Sequence, residues 1–128
     1  MPAPDHNVMV VEDDPTLRNA MGDLLDEEGI PATCAENGQV GLDLLRAGAR
    51  PCLVLLDLQM PFMDGLTFRR RQLEDPRFAG IPVVVMTGQP SREAEAGRLG
   101  VALFMKKPIA PSRVLGVVEQ YCSHARAS

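Results

Sequence analysis

Four short apolar runs constrain this chain more than anything else in it. Val8-Met9-Val10-Val11, Cys52-Leu53-Val54-Leu55-Leu56, Val83-Val84-Val85-Met86 and Ala102-Leu103-Phe104-Met105 show no polar alternation. A strand apolar on both faces belongs in a sheet covered on both sides, and such sheets are mainly parallel, with helical crossovers. Helix-like segments separate the runs. Strict alternation of this kind predicts an α/β fold: one doubly wound parallel sheet with helices on both faces.

The predicted strands lie near Asn7–Val11, Ile30–Ala35, Cys52–Leu56, Ile81–Met86 and Val101–Met105. Asp14 is placed to cap the first helix and Pro15 to occupy its first position; Leu17, Ala20, Met21, Leu24 and Leu25 form its apolar stripe, and Gly29 stops it. A second helix is expected over about Gln39–Ala47, with Val40, Leu44 and Ala47 on one face. A third follows Asp64-Gly65 and ends before Asp75-Pro76. The fourth is bracketed by Ser91 and Gly100, with a thin apolar face of Ala94, Ala96 and Leu99. The fifth starts near Pro111 and carries Val114, Leu115, Val117, Val118 and Tyr121.

A length of 128 residues suits one domain, 1–128, with a core over about 7–121 and frayed ends at Met1–Asp5 and His124–Ser128. Net charge is −4, which argues against a general nucleic-acid footprint and so against direct DNA binding. No apolar run approaches the ~20 residues that would span a bilayer, and the first residues lack a signal-like pattern. No membrane insertion is expected, and a cytoplasmic location is. The three cysteines, Cys34, Cys52 and Cys122, are odd in number and read as buried free thiols.

Each of the four apolar runs ends in reactive groups. The first runs into Glu12, Asp13 and Asp14, the second into Asp57, the third into Thr87, and the fourth into Lys106 and Lys107. Open α/β sheets bind ligands at the C-terminal ends of their strands. Carboxylates on neighbouring strands ~4.8 Å apart repel and raise one another's pKa unless a cation joins them. Mg²⁺ fits, because it takes one or two carboxylates and also accepts phosphate oxygens. Asp14, beside Pro15, is better used as a helix cap; Glu12 and Asp13 are better placed for metal. Eleven of the thirteen basic residues are arginine, so the Lys106-Lys107 pair before Pro108 stands out. A compact ammonium suits a point contact to phosphate or carboxylate. A phosphoryl group on Asp57 would then meet a metal, the Lys107 ammonium and the Thr87 hydroxyl, which is what phosphoryl transfer requires.

These residues carry a family resemblance. Val10-Val11-Glu12-Asp13-Asp14-Pro15, Leu56-Asp57-Leu58-Gln59-Met60-Pro61-Phe62-Met63-Asp64-Gly65, Val85-Met86-Thr87-Gly88 and Lys106-Lys107-Pro108 resemble the motifs of the response-regulator receiver domains of two-component signalling. The likeness extends from about Asn7 to Tyr121. It implies a flavodoxin-like (βα)5 sheet of order 2-1-3-4-5. It also implies Asp57 as phosphoacceptor, with Mg²⁺ or Mn²⁺ held by Glu12, Asp13, Asp57 and the backbone carbonyl of Gln59. Thr87, Lys107 and Phe104 become phosphate-binding and switch residues, and Pro108 a cis-proline. Gln59 and Gln89 fall at variable positions that tune dephosphorylation.

The implied activity is autocatalytic phosphotransfer and autodephosphorylation only, not that of a turnover enzyme. The implied partners are a sensor histidine kinase or histidine phosphotransfer protein, and a downstream target on the face formed by the fourth helix, fifth strand and fifth helix. With no output domain in the sequence, a stand-alone receiver that switches partner binding is the leading expectation. A phosphorelay shuttle is the alternative. An aspartyl-phosphate hydrolase is disfavoured by Gln59, where the haloacid-dehalogenase type needs a second acid.

Overall fold

The computed structural model describes residues 7–60, 62–88 and 92–127, with side chains through Cys122. Strands and helices alternate as the apolar runs require: β1 (Val8–Val11), α1 (Pro15–Glu27), β2 (Ala32–Ala35), α2 (Gly38–Arg46), β3 (Leu53–Asp57), α3 (Gly65–Leu73), β4 (Val83–Thr87), α4 (Glu93–Arg98), β5 (Leu103–Lys106) and α5 (Pro111–Ala127). All pairings are parallel and the strand order is β2-β1-β3-β4-β5. This is the flavodoxin-like order.

Alternation along each strand splits the core into two layers. Val8, Val10, Leu53, Leu55, Val84 and Met86 face Met21 and Leu25 of α1 and Val114, Val117 and Val118 of α5. Met9, Val11, Val54, Leu56, Val83 and Val85 face Leu42 and Leu45 of α2, Leu66 and Phe68 of α3, and Ala96 of α4. β1, β3 and β4 are buried along their whole length. Each such Val or Leu contributes ~1.5–3 kcal/mol relative to exposure. That burial explains why these strands show no alternation in sequence.

Helix starts follow local chemistry. Asp14 caps α1 by accepting from the Thr16 amide at 2.9 Å, with Pro15 next. Asn37 accepts from Val40 N–H at 2.9 Å, and Asp64 from Thr67 N–H at 2.8 Å. Gly29, with φ +73, ends α1 in the left-handed region that glycine enters cheaply.

Several expectations are corrected. On α2 the fully buried apolar residues are Leu42 and Leu45; Val40 and Leu44 are half-buried and pack against the same core, as expected, but Ala47 is exposed. Gly38 and Gly41 turn their bare faces inward; a Cβ on Gly41 would lie 3.0 Å from the Phe68 ring. On α4 only Ala96 is buried and Ala94 faces solvent. α5 continues past Tyr121 to Ala127: Pro111 starts it, and neither proline nor glycine follows Tyr121 to stop it. The expectations for Met1–Asp5 fall outside the described residues.

The cysteines are the largest correction. Cys52 and Cys122 form a disulfide with Cα atoms 5.6 Å apart, and Cys34 is free and exposed on the edge strand β2. The pairing follows from the topology. α5 runs back across the sheet after β5, so Cys122 arrives beside Cys52 at the entry of β3. Parity of the count could not reveal a contact across a sequence separation of 70 residues. Among the described residues no helix is long and apolar enough to cross a membrane.

Candidate functional site

The strand order places the C-terminal ends of β1, β3, β4 and β5 beside one another. Glu12 directly follows β1 and Asp57 closes β3; Thr87 closes β4; Lys107 follows β5. Glu12 and Thr87 are fully buried and Asp57 is 3% exposed. Asp13 is half-buried. One carboxylate oxygen from each of Glu12, Asp13 and Asp57 falls within 4.8 Å of the others. Lys107 Nζ donates to Glu12 Oε1 at 2.7 Å and stands 3.3 Å from Asp57 Oδ2. Thus Glu12, Asp13, Asp57 and Lys107, all singled out in sequence, meet in one cluster, and the Thr87 backbone carbonyl accepts from Lys107 N–H at 2.9 Å.

The electrostatics are those of acids kept from water. Glu12 is pushed up to about 7, chiefly by burial; the Lys107 hydrogen bond opposes this, and Asp57 adds to it. For Lys107, burial acts downward, but the Glu12 and Asp57 carboxylates outweigh it and lift the ammonium above its ordinary value. The site therefore holds more carboxylate than its single lysine neutralises. A divalent cation fits that imbalance, because three hard oxygen donors converge where charge is in excess.

The loops that carry these groups are braced locally. Gln59 N–H donates to Asp57 Oδ1 at 3.1 Å, and Asp14 N–H to Glu12 Oε2 at 3.2 Å. Gly65 lets α3 start against the end of β3: a Cβ there would lie 2.6 Å from the Asp57 carbonyl oxygen and 2.8 Å from Leu58 Cα. The Lys107–Pro108 peptide is cis. Phe104 is half-buried and packs against the layer that contains Ala96. Lys106 is exposed, leaving Lys107 as the lysine of the site. Pro61, Gln89 and Ser91 fall outside the described residues.

Sequence reasoning missed Arg18. Its guanidinium donates to the Glu12 carbonyl at 2.9 Å and the Asp13 carbonyl at 3.3 Å, pinning the loop that presents both acids. A signal was available: positive charge in the first turns of a helix opposes its dipole and needs a local reason. Also missed was the Asp64–Arg92 ion pair at 3.6 Å, which joins the cap of α3 to the start of α4.

The family model described as response regulator receiver domain matches residues 8–119. The chain belongs to that family. Among similar receivers and related proteins is an uncharacterized 14.6 kDa protein of Leptolyngbya boryana, 33% identical over 118 residues, covering 91% of this chain and 89% of the other. The polar-differentiation response regulator DivK of Brucella anthropi is 30% identical over 121 residues, covering 93% and 98%. Among solved structures, the signal receiver domain of a Syntrophus aciditrophicus signal transduction histidine kinase matches with a TM-score of 0.84 at 26% identity, covering 96% and 94%. This receiver is thus a response-regulator domain of the two-component type.

Proposed function

We propose that Asp57 is the phosphoacceptor of this receiver and that its phosphorylation is the signal. The observation that carries the reading is the placement of a nearly buried Asp57 carboxylate 3.3 Å from Lys107 Nζ and within one cluster with Glu12 and Asp13. A carboxylate oxygen of Asp57 attacks phosphorus in line. The P–N bond to a donor phosphohistidine breaks, and its electron pair returns to the imidazole, which takes a proton. The donor is a sensor histidine kinase or a histidine phosphotransfer protein.

Glu12, Asp13 and Asp57, with the backbone carbonyl of Gln59, are the groups that would hold Mg²⁺ or Mn²⁺. That ion supplies charge neutralisation for the transferring phosphoryl group. Lys107 and the Thr87 hydroxyl serve the remaining phosphoryl oxygens. Arg18 keeps the Glu12–Asp13 loop in place, and Gln59 N–H orients Asp57. Hydrolysis of the acyl phosphate by water resets the site, so the chemistry is self-modification rather than turnover.

Phosphorylation adds roughly −1.5 to −2 charge at Asp57. Charge acts at a distance only by favouring one of two arrangements. The movable part is the α4-β5-α5 face, where Phe104 is half-buried and α4 buries only Ala96. The Asp64–Arg92 pair offers a direct tie between the loop after Asp57 and α4. The downstream target protein binds this face.

The test is incubation with acetyl phosphate and Mg²⁺ followed by intact-mass measurement. One phosphoryl adduct, stable in acid, labile in base and lost in Asp57→Asn, is expected. Repeated turnover of added phosphoesters without an adduct would overturn the proposal.

A further inference from the structure

At the opposite end of the sheet, Cys52 and Cys122 join the residue preceding β3 to the later part of α5. Both are buried, Cys122 completely and Cys52 at 7% exposure, within the layer formed by α1, α5 and the sheet. Their surroundings differ. Cys52 lines an open pocket of ≈ 360 Å³ together with Pro51, Phe78, Pro82 and Tyr121, whereas Cys122 does not border it. A thiol small enough to enter that pocket has a route to one half of the bond only.

The reduced state is also provided for. Cys52 Sγ lies 3.2 Å from the Asn7 carbonyl oxygen, which also accepts from Cys52 N–H at 2.9 Å; a carbonyl oxygen has two lone pairs, and a thiol S–H is a weak donor to it. Opening the bond therefore need not leave a new unpaired polar group at Cys52. Cys122 sits among Val114, Val117 and Val118, where a thiol behaves as a small apolar group. A bond that only stapled the fold would need no pocket beside one sulfur. Where thiols are kept reduced, disulfides tend to be transient or redox-sensing.

We propose that Cys52–Cys122 is a thiol–disulfide exchange site, entered at Cys52 through this pocket by small dithiols, and that its state sets how firmly the later part of α5 is held. In reduction, a thiolate of the dithiol attacks Cys52 Sγ. The S–S bond breaks, and Cys122 leaves as a thiolate and takes a proton from water. The second thiol of the reductant then attacks the mixed disulfide, releasing Cys52 as a thiol. The protein gains two electrons and two protons, and the dithiol becomes a disulfide. Phosphoryl chemistry at Asp57 lies at the other end of β3, so this inference does not depend on the phosphoacceptor reading.

The test uses the full chain. With dithiothreitol and no denaturant, the oxidised protein is expected to reduce at least tenfold faster than it unfolds globally. Amide exchange over Val117–Cys122 should then rise tenfold or more. In a Cys34→Ala background, Cys122→Ser should let oxidised glutathione form one adduct at Cys52, while Cys52→Ser should leave Cys122 at least tenfold slower to react. If the native protein reduces only at its global unfolding rate, or if Cys122 reacts as fast as Cys52, the exchange site is disproved. Unchanged amide exchange in α5 would overturn its link to that helix. The reduction experiment on the unsubstituted chain stands even if a variant fails to fold.

Discussion

Gly65→Ala tests the link between backbone packing and the site. The added methyl would stand 2.6 Å from the Asp57 carbonyl oxygen, 2.8 Å from Leu58 Cα and 3.0 Å from Leu58 Cδ2. Two of these three neighbours are backbone atoms of the segment that presents Asp57, so they cannot rotate away as a side chain could. Relief requires α3 to slide from β3 by roughly half an ångström or more, and forced overpacking of this kind costs ~1–3 kcal/mol. The propensity gain of alanine over glycine, ~1 kcal/mol in a helix interior and less at a first position, offsets only part of that. The net expectation is a loss of ~1–2 kcal/mol in urea denaturation. Displacement would also disturb the Leu58 carbonyl, which accepts from Gly65 N–H at 3.0 Å, and with it the neighbouring Asp57 and Gln59. Phosphorylation by acetyl phosphate should therefore slow by roughly tenfold or more, because catalytic positioning tolerates little misplacement. Unchanged stability together with an unchanged phosphorylation rate would refute the claim that α3 is held against Asp57 by the missing side chain.

Three further outcomes follow from named contacts. Arg69, nearly buried on α3, donates to Gln72 Oε1, Leu99 O and Gly100 O at 2.8, 2.9 and 3.1 Å; Arg69→Met should cost ~2 kcal/mol in denaturation, since orphaning the buried Gln72 Oε1 costs ~1–3, the two carbonyl bonds nearer the surface add less, and relief of charge desolvation returns part of the total. A change under ~0.5 kcal/mol would contradict this. For Asp64, burial pushes the pKa up, but the Thr67 amide and hydroxyl and Arg92 outweigh it and hold the carboxyl below its ordinary 3.8. The unfolded chain then takes up this proton first as pH falls, so the cap's charge contribution is full above 3.8 and is lost as pH drops through the lower folded value; Asp64→Asn should flatten that part of the stability–pH curve, and an unaltered curve would count against the assignment. Lys107→Met should tighten Mg²⁺ binding, read by calorimetry, by roughly tenfold, because a unit charge ~4 Å away is worth a few kcal/mol before solvent screening; weaker binding would mean the lysine does not compete with the cation.

The layout of strands was legible because β1, β3 and β4 are buried on both faces and so leave unbroken apolar runs. Strand order was not, since Val54 or Val84 looks the same beside either neighbour; it entered through the motifs at the strand ends. Those motifs were readable because Glu12, Asp57, Thr87 and Lys107 break apolar runs at the same edge. Arg18 and Arg69 were not, because their partners are backbone carbonyls, which have no residue identity. The face of α2 was legible in part: Val40 and Leu44 do pack on the core, but Gly38 and Gly41, with no side chain to mark a face, approach Met63 and Phe68 and leave Leu42 and Leu45 as its most buried residues. The Cys52–Cys122 bond needed the return path of α5, which only the fold supplies.

The central claim is that the message resides on Asp57. Borohydride reduction converts an aspartyl phosphate to homoserine, so phosphorylation with acetyl phosphate, trapping and peptide mass mapping locate the modified carboxylate directly. The account expects a single homoserine at position 57, dependent on Mg²⁺ and absent without phosphodonor. Homoserine at Asp13's position, the one-carbon-longer alcohol 2-amino-5-hydroxypentanoic acid at Glu12's, or no trapped product while the phosphodonor is consumed, would contradict it.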